Sequence, residues 1–241
     1  MQFSWGFAVR TAQRLLQAEP DGTFALITFS SRVEQTLDFR QGWLAIVRDL
    51  DALRGPGRTP PYGRTALRDA LLAATDLFKS PLPGDAIFLV SDGGENASKS
   101  KDSEFMGALR VSGVRVFAVV PTLDPSIGAR TPGVDRVDWV RGLVTASGGA
   151  FVPFHIGTDV KPASGTKGWQ LTKSGEEAIA SATVGFANQM THFYRLTVRL
   201  PQEVTKPSEW ELNVVDSDGK RNKKWVVTYP NQFAPCSGQV G

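Results

Sequence analysis

Two oxygen-bearing side chains stand where chemistry could occur. Thr65 lies in Gly63-Arg64-Thr65-Ala66-Leu67-Arg68-Asp69-Ala70-Leu71, where a Gly/Pro-rich loop runs into an amphipathic helix. Asp92 closes Ile87-Phe88-Leu89-Val90-Ser91-Asp92-Gly93-Gly94, where a buried apolar strand ends. A Thr hydroxyl at a helix start and an Asp at a strand's carboxyl end are hard oxygen donors. Together they predict a divalent-cation site on the rim of an α/β sheet.

Each donor also has a plainer role. Thr65 suits a helix N-cap, and Asp92 suits a tight Asp-Gly turn. Asp69 falls in the first turn of its helix, where the helix dipole favours a negative charge. Glu95 reads as a solvated loop carboxylate, with a water held beside the site as its sharper role. Asp216-Ser217-Asp218-Gly219 opens like a calcium loop, but Lys220 and Arg221 follow with no downstream Glu in register. It reads as a hairpin turn. His155 and His192 are far apart in sequence and read as structural. There is no nucleophile elbow, P-loop or dinucleotide glycine set after a strand.

The elements that must position Thr65 and Asp92 follow from periodicity. Trp5, Ala8, Val9, Ala12, Leu15 and Leu16 form one helical face. Thr23 to Phe29 is a short apolar strand, and Val33, Leu37 and Phe39 mark a half-exposed edge strand. Helical stripes follow at Trp43–Leu53 and Leu67–Phe78, then a buried strand at Ala86–Val90. Ser103 is placed to cap a short helix. Val114–Val120 is another buried strand, Pro121–Gly133 a loop, Val137–Ala146 a helix stopped by Gly148-Gly149, and Ala150–Phe154 a last short strand. This alternation predicts a doubly wound, mostly parallel α/β sheet with helices on both faces.

From Phe193 the period changes to two. Tyr194, Leu196 and Val198, then Trp210, Leu212 and Val214, then Trp225, Val227 and Tyr229 predict a small antiparallel β-meander. The expected boundaries are 1–156 for the α/β domain, 157–173 for a linker and 174–192 for its last helix. The meander takes 193–230 and a frayed tail 231–241.

Bulk properties narrow the class. A net charge of +3 over 241 residues, with no basic stripe interleaved with aromatics, argues against a nucleic-acid partner. One cysteine, Cys236, excludes an internal disulfide and a cysteine metal cluster. No apolar run approaches the roughly 20 residues that span a bilayer, and residues 1–18 lack the apolar core of a signal peptide.

The order of these segments resembles a von Willebrand factor type A domain. The matching stretches are Thr23–Ser30, Gly-x-Thr-x-Leu-x-Asp-Ala-Leu, Val90-Ser91-Asp92-Gly93, Ser112–Val119 and Thr145–Gly149. Phe193-Tyr194-Arg195-Leu196 and the Trp210 strand resemble the tail of the VWFA-related Acidobacterial domain family. The resemblance implies a metal-ion-dependent adhesion site (MIDAS) in which the Thr is Thr65 and the Asp is Asp92. The family's Asp-x-Ser-x-Ser motif is absent, and so is the first strand that carries it. Met1-Gln2-Phe3-Ser4-Trp5 stands where the relatives continue into their first helix, so the expectation is an N-terminally truncated chain. The strands Thr23–Phe29 and Ala86–Val90 should then pair directly or face each other across about two strand spacings, roughly 9–10 Å.

The resemblance implies a non-enzymatic protein-binding module. Its intact parent site would hold Mg²⁺, or Mn²⁺ or Ca²⁺, and take a carboxylate from a protein ligand, with cation binding weak or absent in this chain. It also implies an exported, periplasmic or extracellular setting. Two other readings stay open: a structural domain with a non-functional metal site, and a Mg²⁺-dependent hydrolase or phosphotransfer domain using Asp92.

Overall fold

The computed structural model describes residues 5–53, 64–123, 134–156, 159–162, 169–199, 208–222, 224–225 and 227–233. The expected Gly55–Gly63 loop and most of the 121–133 loop lie outside these residues. Three strands make the central parallel sheet: β3 (Ala86–Val90), β4 (Arg115–Leu123) and β5 (Phe151–Ile156), in the order β3-β4-β5. Their registers put Ala86 beside Arg115 and Ala118 beside Phe151.

Strand side chains alternate between two covered faces. Val116, Ala118 and Val120 of β4, with Ile87 and Leu89 of β3, pack under α3 (Leu67–Leu77), α4 (Asp102–Ser112) and α5 (Val134–Ser147). Phe117 and Val119 face the other way, against Phe7 of α1 (Trp5–Ala18) and Ile179 and Phe186 of α6 (Lys173–Thr191). Burial on both sides explains why β3 and β4 are near-continuous apolar runs. On the second face, ion pairs from Arg10 and Arg14 to Glu176 tie α1 to α6.

β1 (Leu26–Phe29) and β2 (Val33–Leu37) form a separate antiparallel pair. Leu26 and Leu37 join Val9 and Leu16 of α1 and Ile46, Leu50 and Leu53 of α2 (Gly42–Leu53) in a third core cluster. Of the two arrangements expected for these strands, direct pairing is absent and a gap stands between them. β1 and β3 belong to different hydrogen-bonded sheets, and an apolar cleft separates them. The physical reason is that no described strand lies between them to pair with both edges.

Several boundaries also change. Part of the expected 157–173 linker is structured: β6 (Val160–Pro162) pairs with β5, and β7 (Trp169–Leu171) pairs antiparallel with β6. The last helix begins at Lys173 rather than Ser174, because Thr172 is its N-cap and accepts the Gly175 amide at 3.1 Å. Ser103 does not cap α4; Lys101 holds that position in extended conformation.

The C-terminal region pairs less than its alternation predicts. β8 (Ser208–Glu209) meets β9 (Gln232–Phe233), and Val215 bridges Arg221 around the Asp216–Gly219 turn. Asp216 Oδ1 accepts the amides of Asp218 and Lys220, which makes this stretch the hairpin turn expected. Trp210 stacks edge-on against Tyr229 with centroids 5.0 Å apart. Residues 193–199 form no strand: Tyr194, Leu196 and Val198 are exposed, with Tyr194 at 95%. Gln232–Phe233, expected in the frayed tail, lie in β9, and residues 234–241 lie outside the described ones.

Candidate functional site

Three chain segments converge at the carboxyl rim. β1 ends at Phe29, and the carbonyl of the next residue, Ser30, accepts the Ala66 amide at 2.6 Å. The Thr65 carbonyl accepts the amides of Asn96 at 3.0 Å and Ala97 at 3.1 Å, just beyond β3. The Asn96 side-chain oxygen returns a bond from the Thr65 amide at 2.7 Å, and Arg64 donates to the Asn96 carbonyl. The start of α3 is thus stitched to the ends of both strands.

This stitching brings Thr65 and Asp92 together. A Cβ placed on Gly94 would stand 3.0 Å from Asp92 Oδ1 and 3.2 Å from Thr65 Oγ1. Both oxygens therefore border one small space that only a glycine leaves open. Asp92 Oδ1 accepts the Gly94 amide at 2.9 Å, and Gly93 takes a left-handed φ of 73° that turns the loop back. Ser91 is buried beneath and accepts the Gly93 amide. The Asp92 side is exposed to solvent.

Thr65 is not the N-cap of α3. Ala66 holds that position, so the capping role is corrected. The helix start is capped from another loop. Glu95 Oε2 accepts the Arg68 amide at 2.7 Å, and Ser98 Oγ accepts the Asp69 amide at 3.1 Å. Glu95 also accepts the Ser98 amide and hydroxyl, at 3.1 Å and 2.7 Å. It is a clamp between loop and helix, not the solvated carboxylate or water-holder expected.

Asp69 completes the clamp from the helix side. Its carboxylate accepts the Lys99 and Ser100 amides and the Ser100 hydroxyl. Burial pushes its pKa up, but the Ser100 hydroxyl and these amides outweigh that and hold it below the ordinary carboxylate value. Sequence reading placed Asp69 as structural, named Glu95 near the site but gave it another role, and missed Asn96 and Ser98. The spacing Glu95-x-x-Ser98, following a strand-end Asp-Gly-Gly, is the only local trace of this capping loop.

The donor set at the rim is small. Among the described residues no three His, Cys, Asp or Glu side chains cluster as a metal site. Glu95 and Asp69 are committed to backbone amides, so the oxygens facing the space above Gly94 are the Thr65 hydroxyl and Asp92 Oδ1, which already accepts the Gly94 amide. That set fits a cation that keeps most of its shell as water, as Mg²⁺ does, and not a caged ion. His155 and His192 stand in local bonds instead, His155 Nδ1 with Thr122 Oγ1 at 3.2 Å and His192 Nδ1 with the Asn188 carbonyl at 3.2 Å.

No protein-family model matches the chain, and no curated protein matches it. Among solved structures it is similar to the conserved hypothetical protein BatB from Bacteroides thetaiotaomicron. The identity is 16%, over 77% of this chain and 89% of that one, with a TM-score of 0.48. It is also similar to an uncharacterized membrane spanning protein from Vibrio fischeri, at 19% identity over 72% of each chain and a TM-score of 0.20. Likenesses at these scores leave the site to be read from this chain's own geometry. That geometry defines an α/β protein with a parallel three-stranded sheet covered by helices. No described helix is long and apolar enough to cross a membrane.

Proposed function

We propose that this chain is a non-enzymatic protein-binding module whose rim, at Thr65 and Asp92, presents a weakly held divalent cation to a carboxylate on a protein partner. The observation that supports this reading is the approach of Thr65 Oγ1 and Asp92 Oδ1 to one space above Gly94, at 3.2 and 3.0 Å. A bound Mg²⁺ would supply the positive charge that a partner carboxylate completes. Thr65 and Asp92 would hold two of its positions, and water and the partner would hold the rest. The Glu95 and Asp69 clamps fix the loop so that the two oxygens stay aimed together. A hydrolase would need a second carboxylate or base at the site, and the two nearest are occupied with backbone amides.

One observation favours the structural alternative. Asp92 Oδ1 already accepts the Gly94 amide, which is what a turn-forming Asp does without any cation. Calorimetric titration with Mg²⁺ and Mn²⁺ separates the two. The cation reading expects saturable binding at about millimolar strength, comparable to weak extracellular oxygen sites, lost in Asp92→Asn and weakened in Thr65→Val. Equal behaviour of the native protein and Asp92→Asn would leave the structural reading.

A further inference from the structure

Arg64 stands beside Thr65 at the start of α3 and is exposed. Its Nε and Nη2 donate to one acceptor, the Asn96 carbonyl, at 3.2 and 2.8 Å. Asn96 is itself held to the rim twice. Its side-chain oxygen accepts the Thr65 amide at 2.7 Å, and its amide donates to the Thr65 carbonyl at 3.0 Å. The guanidinium plane is therefore fixed by the same loop that carries Asp92 and Gly94. A guanidinium has five N–H donors. The Asn96 carbonyl takes two, and no described residue accepts from the other three.

The next cation along the helix is placed differently. Arg68 faces Asp102 at 3.0 Å and Glu95 at 3.7 Å. No described carboxylate pairs with Arg64. An arginine held in one orientation, open to solvent and without an anion presents its binding edge before any partner arrives, so little side-chain freedom is lost on contact. The edge is also close to the cation space. From Gly94 to Asn96 the chain takes two Cα steps of about 3.8 Å. With the 2.8 Å bond from the Asn96 carbonyl, the guanidinium lies within about 13 Å of Gly94 at most.

We propose that Arg64 is the second anchor of this rim and sets its partner class: an extended acidic segment with carboxylates two residues apart, one on the cation and the other on the free edge of Arg64. The inference rests on the cation reading of Thr65 and Asp92. The cation alone accepts any carboxylate, whereas a second anchor at a fixed distance selects a pair. The N–H groups left on Nη1 and Nη2 form a fork that matches both oxygens of a carboxylate, and a single carbonyl would leave part of it unused. In an extended chain, residues two apart share a face at about 6.6–6.8 Å. An Asp and a Glu at that spacing, with the reach of their side chains, span the two anchors.

The test uses the full chain in Mn²⁺ and two synthetic peptides, acetyl-Ala-Asp-Ala-Glu-Ala-amide and the same peptide with glutamine for glutamate. By calorimetry the two-carboxylate peptide should bind the native protein about fivefold more tightly, the upper end of what an exposed charge pair gives. Chelator should abolish binding of both. In Arg64→Gln the two peptides should bind within about twofold of each other. A loosened α3 start would weaken both peptides alike and keep their ratio, so the ratio reads the contact itself. Arg64→Lys, which keeps the charge without the fork, should discriminate by only about twofold. Equal binding of both peptides by the native protein would overturn the proposal. So would a full ratio that survives in Arg64→Gln or Arg64→Lys, because charge alone would then explain it. Mn²⁺ binding with no peptide binding would overturn it too. If the native protein binds no Mn²⁺, or chelator leaves peptide binding unchanged, the cation reading of the rim falls and this inference falls with it, so the two failures are told apart.

Discussion

Asp69 and Ser100, 31 residues apart, are joined twice: the carboxylate accepts the Ser100 amide at 2.9 Å and its hydroxyl at 2.6 Å. Because these bonds hold the carboxyl below its ordinary value, the folded chain binds this proton less tightly than the unfolded chain. The stabilisation is full above the unfolded value, about 3.9. It fades as pH falls through the lower folded value. Asp69→Asn should therefore lower the melting temperature at pH 7 and make almost no difference at the acid end, where the native carboxyl is protonated too. Melting curves of both proteins from pH 7 to pH 2 check this. A constant gap across that range would mean that shape, not charge, holds the loop.

Gly94→Ala places a methyl between Asp92 Oδ1 and Thr65 Oγ1, at 3.0 and 3.2 Å from them. Both contacts are tight, so each oxygen must retreat by a few tenths of an ångström. Cation affinity should fall at least tenfold, the equivalent of about 1.4 kcal/mol, while the melting temperature without cation moves little. Calorimetry with Mn²⁺ measures the first and a thermal melt the second. Retained affinity in Gly94→Ala would place the cation elsewhere.

What the sequence made legible depended on how locally each signal is written. β3 and β4 were readable because covering both faces demands near-continuous apolar runs, and Ala86–Val90 and, after Arg115, Val116–Val120 are such runs. The approach of Thr65 to Asp92 was readable because helix start and strand end share a rim in an alternating fold. Thr65's true position was not, since a hydroxyl at a helix start carries the same pattern as cap or as ligand. Glu95, Asn96 and Ser98 act on residues 27 to 31 positions away, and no period records such a bond. β6 and β7 are three-residue strands in a Gly/Lys/Thr-rich stretch, too short to alternate visibly. Tyr194, Leu196 and Val198 do alternate, yet alternation names the face a strand would bury and not the existence of a neighbour to bury it against.

Arg115 joins the sheet to the C-terminal region. Its guanidinium donates to the carbonyls of Gln189 at 2.7 Å and Met190 at 3.1 Å, in the last turn of α6. It lies 5.3 Å from the centroids of both Phe117 and Phe193. Burial pushes its pKa down, but an arginine keeps its charge and completes the helix end. Arg115→Ala should cost about 2–3 kcal/mol by removing charged bonds to two carbonyls. It should also speed exchange and proteolysis after Phe193. Arg115→Lys reaches fewer acceptors and loses the stacking, so it should recover only part. A full recovery by lysine would show that charge alone matters here.

Gly149 marks the turn from α5 into β5, and a Cβ there would lie 1.8 Å from the Val116 carbonyl oxygen and 2.6 Å from its carbon. The obstacle is the backbone of a central strand, whose amide is also tied to Ser147 Oγ at 2.9 Å, so it cannot swing aside as a side chain would. Gly149→Ala must push β5 away from β4 and should cost at least about 2–3 kcal/mol, in the range of overpacking a core. Gly107, inside α4, has open space around its missing Cβ. Gly107→Ala should gain up to about 1 kcal/mol from helix propensity alone. Urea unfolding of the two variants beside the native protein should thus move the midpoint in opposite directions at unchanged slope. A Gly149→Ala midpoint equal to native would show that β5 does not pack on β4 at this turn.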